Sequence, residues 1–145
     1  MLAKRILQKA RKNEYAVPAF NISDLELLEA VVSAAEKFKS PVIIATTESA
    51  IKYAGLEYLV SMVKTASKLS KIPIILHLDH GHDLKLIKKC IKSGYDSIMF
   101  DGSNLSFNKN ISLTKKVVKL AKKKNINVEA ELGALKEKKE YFTDP

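Results

Sequence analysis

Short apolar runs alternate with amphipathic stretches along the chain. Residues 1–13 place Leu2, Ile6, Leu7 and Ala10 on one side, the spacing of a helix with one buried face. Ala16-Val-Pro-Ala-Phe20 reads as a short buried strand ending at Asn21. Ser23-Asp24-Leu25-Glu26 has the form of a capping box, which makes Ser23 the expected N-cap of a helix. That helix carries Leu27, Leu28, Val31, Val32 and Ala35 and stops near Ser40. Pro41–Ala45 is a second strand ending at Thr46-Thr47, and a helix over about 56–70 follows. Ile72–Leu78 is a third strand, with a helix from Asp83 behind it. Asp96–Phe100 is a fourth, ending at Asp101-Gly102, and a helix runs from about Ile111 to Lys124. A fifth strand begins at Asn125 and continues to Glu131.

Strand starts near 17, 42, 73, 97 and 127 recur every 24–31 residues or so. Such βα alternation predicts a parallel α/β sheet with right-handed crossovers. No Gly-x-Gly-x-x-Gly follows the first strand, which disfavours a dinucleotide-binding sheet. A (β/α)8 barrel fits better, with this chain supplying about the first five strands as a single domain over residues 1–145; an open parallel sheet is the alternative.

The pleat sorts these strands into two faces. Ile98 and Phe100 oppose Ser97, Met99 and Asp101; Val128, Ala130 and Leu132 oppose Asn127, Glu129 and Glu131; Ile74, Leu76 and Leu78 oppose Ile75, His77 and Asp79. One face is apolar and belongs to the helices. The other ends in Asn21, Thr47, Asp79, Asp101 and Glu131, polar groups expected to converge at one end of a barrel.

Composition narrows the setting. The chain has 145 residues, 46% of them hydrophobic, which suits one globular domain. Its single cysteine, Cys90, has no internal partner and lies in an apolar helical pattern, so it reads as a packing residue in a reducing compartment. Without a membrane-length apolar run or a secretory signal, the expected location is cytoplasmic. The net charge of +9 comes largely from lysines such as Lys115, Lys116, Lys119 and Lys122–Lys124. They lack interleaved aromatics and an arginine cluster, so they read as a solvated helix face rather than a nucleic-acid surface.

The candidate chemistry lies at the end of the third strand, in His77-Leu-Asp-His-Gly81. Asp79 and His80 would point to opposite faces of a regular strand. Both reach one site only if the backbone turns at His80, and Gly81 makes that turn easy. A neutral imidazole is a good zinc ligand, and a carboxylate beside a cation can hold or deliver a proton. Glu129 and Glu131 share a face and would repel unless a cation or lysine neutralises them. His77 reads as a core histidine and His82 as a surface-loop residue.

Tyr15-Ala-Val-Pro-Ala-Phe-Asn21, His77-Leu-Asp-His-Gly81, Ser97-Ile-Met-Phe-Asp-Gly-Ser103 and Val128-Glu-Ala-Glu-Leu-Gly133 together resemble, in order and spacing, motifs of class II fructose-bisphosphate aldolases and the similar tagatose-bisphosphate aldolases. The resemblance implies a (β/α)8 barrel and reversible aldol cleavage of a ketose 1,6-bisphosphate to dihydroxyacetone phosphate and an aldehyde phosphate. It implies that His80 is one of three histidines on a catalytic Zn2+, with another divalent metal as the alternative. It makes Asp79 the acid/base for the C4 oxygen. Asp101 and Glu131 resemble acidic residues of a second or alternative metal position, and Asn21 matches a residue near the substrate. Thr47 stands where the family often has Ser in contact with substrate. Lysine-rich surroundings would favour a substrate with two phosphates.

The family's other two zinc histidines and its phosphate-binding glycine loops lie beyond the fifth strand. One ligand cannot close a zinc site. The expectation is therefore an N-terminal part of an aldolase, inactive alone, that works as a homo-oligomer or with a complementing C-terminal part. Glu137 and Glu140 are candidates for the family's mobile-loop carboxylate. A non-catalytic half-barrel that assembles with itself or a partner is the alternative, and a lysine-driven polyanion-binding module is a third reading.

Overall fold

The computed structural model describes residues 2–133. Its elements are α1 (Leu2–Lys12), β1 (Ala19–Asn21), α2 (Leu25–Lys37), β2 (Val42–Thr46), α3 (Glu48–Ala54), α4 (Leu56–Leu69), β3 (Ile74–Gly81), α5 (Leu84–Ser93), β4 (Ser97–Phe100), α6 (Phe107–Lys122) and β5 (Asn127–Ala130). The five strands form one parallel sheet in the order β1-β2-β3-β4-β5. That order decides between the two architectures. A doubly wound open sheet reverses its strand order at a switch point, whereas a (β/α)8 barrel adds strands in sequence. The described residues are thus successive units of a (β/α)8 barrel.

Local chemistry punctuates the elements. Asp24, not Ser23, is the N-cap of α2: its carboxylate accepts from the Leu27 amide at 2.8 Å, while the Ser23 hydroxyl donates to the same carboxylate at 3.1 Å. The carboxylate is the stronger acceptor for a helix-terminal N–H, which is why the cap shifts by one residue. The short helix α3 was not apparent from the periodicity. Thr47 caps it, its hydroxyl accepting from the Ala50 amide at 3.1 Å, and Gly55 (φ 89°) breaks it from α4. Asp83 caps α5, and Gly94 in the left-handed region (φ 93°) ends it. The sixth helix starts at Phe107, about one turn earlier than its apolar spacing suggests.

The two faces pack differently. Val42, Ile44, Leu76, Leu78, Ile98 and Phe100 face the helices and meet Leu28, Leu59, Ile87 and Val117 in the main core. On the inner face, α1 lays Ala3 and Ile6 on Ile75. Above that plug lies a cavity of about 210 Å³ that holds Asn21, His77, Asp79 and Glu129. Cys90 is fully buried in the main core, and burial pushes its thiol up to about 12. Among the described residues no helix is long and apolar enough to cross a membrane.

Candidate active site

The site is built where β3, β4 and β5 end. The pairing of β3 with β4 shifts register between Leu78 and Gly81: Leu78 lies opposite Ile98, but Gly81 lies opposite Phe100. Three steps on one strand are matched by two on the other, so the extra residue is squeezed into a bulge. His80 absorbs the distortion with φ 47°, in the left-handed region. The turn therefore falls on His80 itself, and Gly81 serves another purpose. A Cβ at Gly81 would lie 2.8 Å from a Leu78 methyl and 2.9 Å from the Met99 carbonyl oxygen. Gly81 is there because β4 leaves no room for a side chain.

The bulge turns Asp79 and His80 into one site. His80 Nδ1 lies 2.9 Å from Asp79 Oδ1, and the other carboxylate oxygen, Oδ2, accepts from the Asn21 amide at 2.9 Å. On the other side of the ring, His80 Nε2 lies 3.5 Å from Glu131 Oε2. Ligand atoms of His80, Asp101 and Glu131 all lie within 4.8 Å of one another. One imidazole and two carboxylates at that spacing form a donor set suited to a borderline or hard divalent cation such as zinc, cobalt or manganese. Burial opposes the charge on Asp101, but hydrogen bonds from Ser103 outweigh it and hold the carboxyl below its usual range.

The two inward glutamates are separated by partner. Glu131 meets His80, while Glu129 lies 3.9 Å from His77 Nε2, one layer deeper. Each glutamate thus faces a histidine of β3 rather than a lysine. The lysines lie elsewhere: Lys88, Lys116, Lys119 and Lys123 line a groove between α5 and α6, and no lysine among the described residues lines the inner cavity. His77 is buried as expected.

His82 is an exposed loop residue, as expected, and it also reaches the site: its Nδ1 lies 3.1 Å from the Asp101 carbonyl oxygen and its Nε2 3.7 Å from Asp101 Oδ2. Glu48, absent from the sequence-derived set, accepts from the amides of His82 and Asp83 at 2.7 and 2.8 Å and pins the loop after His80. A carboxylate two residues past the tip of β2 was the available signal for it. Thr47 is the N-cap of α3 and pairs with the Ser49 hydroxyl at 2.8 Å. Among the described residues it forms no hydrogen bond to Asp79, His80, Asp101 or Glu131. Glu137 and Glu140 lie outside the described residues.

Five successive parallel strands that carry an imidazole, carboxylates and an orienting amide at their C-terminal ends have the layout of a TIM-barrel site, with a donor set that could hold a metal ion. The fructose-bisphosphate aldolase class-II family matches over residues 2–145. The chain is 46% identical over 138 residues to a fructose-bisphosphate aldolase of Helicobacter pylori, covering 93% of this chain and 45% of that protein. It is 41% identical over 133 residues to the D-tagatose-1,6-bisphosphate aldolase subunit GatY of Klebsiella oxytoca, covering 92% and 47%. Among solved structures, a putative fructose-1,6-bisphosphate aldolase from Coccidioides immitis superposes with a TM-score of 0.85 at 35% identity over 91% of this chain and 52% of that one. The YdjI aldolase of Escherichia coli K12 gives 0.82 at 36% identity, over 87% and 49%. The chain belongs to the class-II fructose-bisphosphate aldolase family. It spans about half the length of the curated relatives it matches.

Proposed function

We propose that this chain supplies the proton-transfer and part of the metal-binding apparatus of a zinc-dependent aldolase that cleaves a ketose 1,6-bisphosphate, with fructose 1,6-bisphosphate the leading substrate, in a reducing cytoplasm. The observation that carries this reading is the meeting of His80, Asp101 and Glu131 within 4.8 Å, with Asp79 bonded to the same imidazole.

In this reading His80, Asp101 and Glu131 would hold the cation, with its remaining ligands supplied from outside these three residues. The cation would supply Lewis acidity for the substrate's ketone oxygen. Asp79 then moves the proton. For cleavage its carboxylate takes the proton from the C4 hydroxyl, and for condensation the acid returns it. Its Oδ2 is held by Asn21, so that residue acts first by orienting Asp79 and only second by touching substrate. Thr47, at the tip of β2, is the weaker candidate for a substrate contact, because its hydroxyl already serves the α3 cap.

The test uses the natural polypeptide that carries this chain, assayed for fructose 1,6-bisphosphate cleavage after chelation and after zinc is restored. Cleavage should require the metal. At saturating zinc, Asp79→Ala should lower kcat by roughly 10²–10⁴-fold, the range of a general acid/base. Full turnover in Asp79→Ala would remove the proton-transfer role. Absence of metal-dependent cleavage would favour the non-catalytic half-barrel.

A further inference from the structure

Asn110 is a buried polar residue on a helix that otherwise turns an apolar stripe to the core. It lies seven and eleven residues before Val117 and Ala121 on the inward side of α6 and is 6% exposed. Its Nδ2 donates to the Glu131 carbonyl oxygen at 2.8 Å, and its Oδ1 accepts from the Thr114 hydroxyl at 3.0 Å. The orientation of the amide is forced, because a carbonyl only accepts and the NH2 end must face it. On its remaining side the amide lies against Gly102, where a Cβ would overlap both Oδ1 and Cγ. One side chain thus touches the segment that follows Asp101 and the segment that carries Glu131.

We propose that Asn110 is a positioning residue for the cation site. It sets the turn after β4 and the end of β5 against each other, and thereby the spacing between the Asp101 and Glu131 carboxylates. The role rests on reading His80, Asp101 and Glu131 as cation ligands. Only an amide satisfies the geometry at this size. Aspartate would present lone pairs to the Glu131 carbonyl and add a buried charge; alanine would leave that carbonyl without its donor. Neither residue would touch the cation, so the effect reaches the metal only through the placement of its ligands. Partners of this kind tune metal affinity by about 10–100-fold.

The experiment titrates the metal-free natural polypeptide with Co2+, followed by its visible absorption, and with Zn2+ in competition. Unfolding temperature is recorded with and without metal. Asn110→Asp and Asn110→Ala are compared with Val117→Ala, which empties core volume on the same helix away from the ligands. Asn110→Asp should weaken cation binding at least about tenfold, shift the cobalt absorption and shrink the metal-induced rise in Tm. Val117→Ala should lower the metal-free Tm and leave the cation Kd unchanged. Should Asn110→Asp fail to fold, Asn110→Ala, which removes the donor to the Glu131 carbonyl, carries the same comparison. Equal cation affinity in wild type and the Asn110 variants overturns the role, as does an equal loss in Val117→Ala. A wild type that binds neither metal overturns the cation-site reading itself, and this role with it.

Discussion

Asp79 uses both carboxylate oxygens within the site, one toward Asn21 and one toward His80. A group held at both ends has little freedom to choose another rotamer, so a proton on Asp79 in the proposed role would be delivered along one direction. Asn21→Ala should therefore lower kcat more than it raises KM, checked by steady-state kinetics at saturating zinc; a change confined to KM would make Asn21 a simple substrate contact. Gly81 governs the same geometry from behind. Gly81→Ala would press a methyl group against the Met99 carbonyl and Leu78. The expected loss is about 1–3 kcal/mol of stability, measured by denaturant unfolding, together with weaker cation binding because the bulge carries His80. Asp79, Asp101 and Glu131 were legible in the sequence because pleat alternation and strand ends suffice to place them. His80 joins them only through a turn at its own position, and the contacts of His82 and Asn110 were not legible. The bulge that carries His80 depends on the register between two strands, which one strand's pattern does not contain. Asn110 lay just outside the helix as its apolar spacing drew it, so its place on the buried stripe went unseen.

The existence and order of the strands were legible, but their burial and ends were not throughout. The first strand, β1, expected to be buried over Ala16–Phe20, runs Ala19–Asn21 and is exposed, because the apolar run alone does not show what packs on it. Helix caps, for their part, turn on single hydrogen bonds. Both Ser23 and Asp24 are good N-caps by type, and only the bond to the Leu27 amide decides between them. Asp24→Ala should cost about 1 kcal/mol, whereas Ser23→Ala, which removes only a hydroxyl donated to Asp24, should stay within about 0.5 kcal/mol. Thermal or denaturant unfolding of the two variants separates them, and the reverse order would restore Ser23 as the cap. The helix α3 escaped notice for a related reason: seven residues are too few to show a helical period. Its functional weight is out of proportion to its length, since its first residue, Glu48, anchors the loop beside the site.

At the scale of the whole molecule, the sheet order settles the architecture and the inner face carries the chemistry in two layers. The upper layer is the cluster of His80, Asp101 and Glu131; the lower is His77 with Glu129, above the α1 plug. The lower layer makes the fold sensitive to acid. Burial lowers the His77 pKa below 6.5, although Glu129 and Asp79 pull it upward. As pH falls, the unfolded chain therefore takes up this proton before the folded chain does. The histidine's contribution to stability is fully present above about 6.5 and is lost as pH drops toward the lower folded value. His77→Gln removes the titration and keeps a polar side chain facing Glu129. With metal chelated, so that acid release of a cation adds nothing, unfolding free energies of wild type and His77→Gln should diverge as pH falls below about 6.5. Wild type should lose stability more steeply as pH falls, because only it must accommodate a buried imidazolium. Parallel pH profiles would mean that the inner cavity admits enough water, or enough of the Glu129 charge, to solvate His77 in both protonation states.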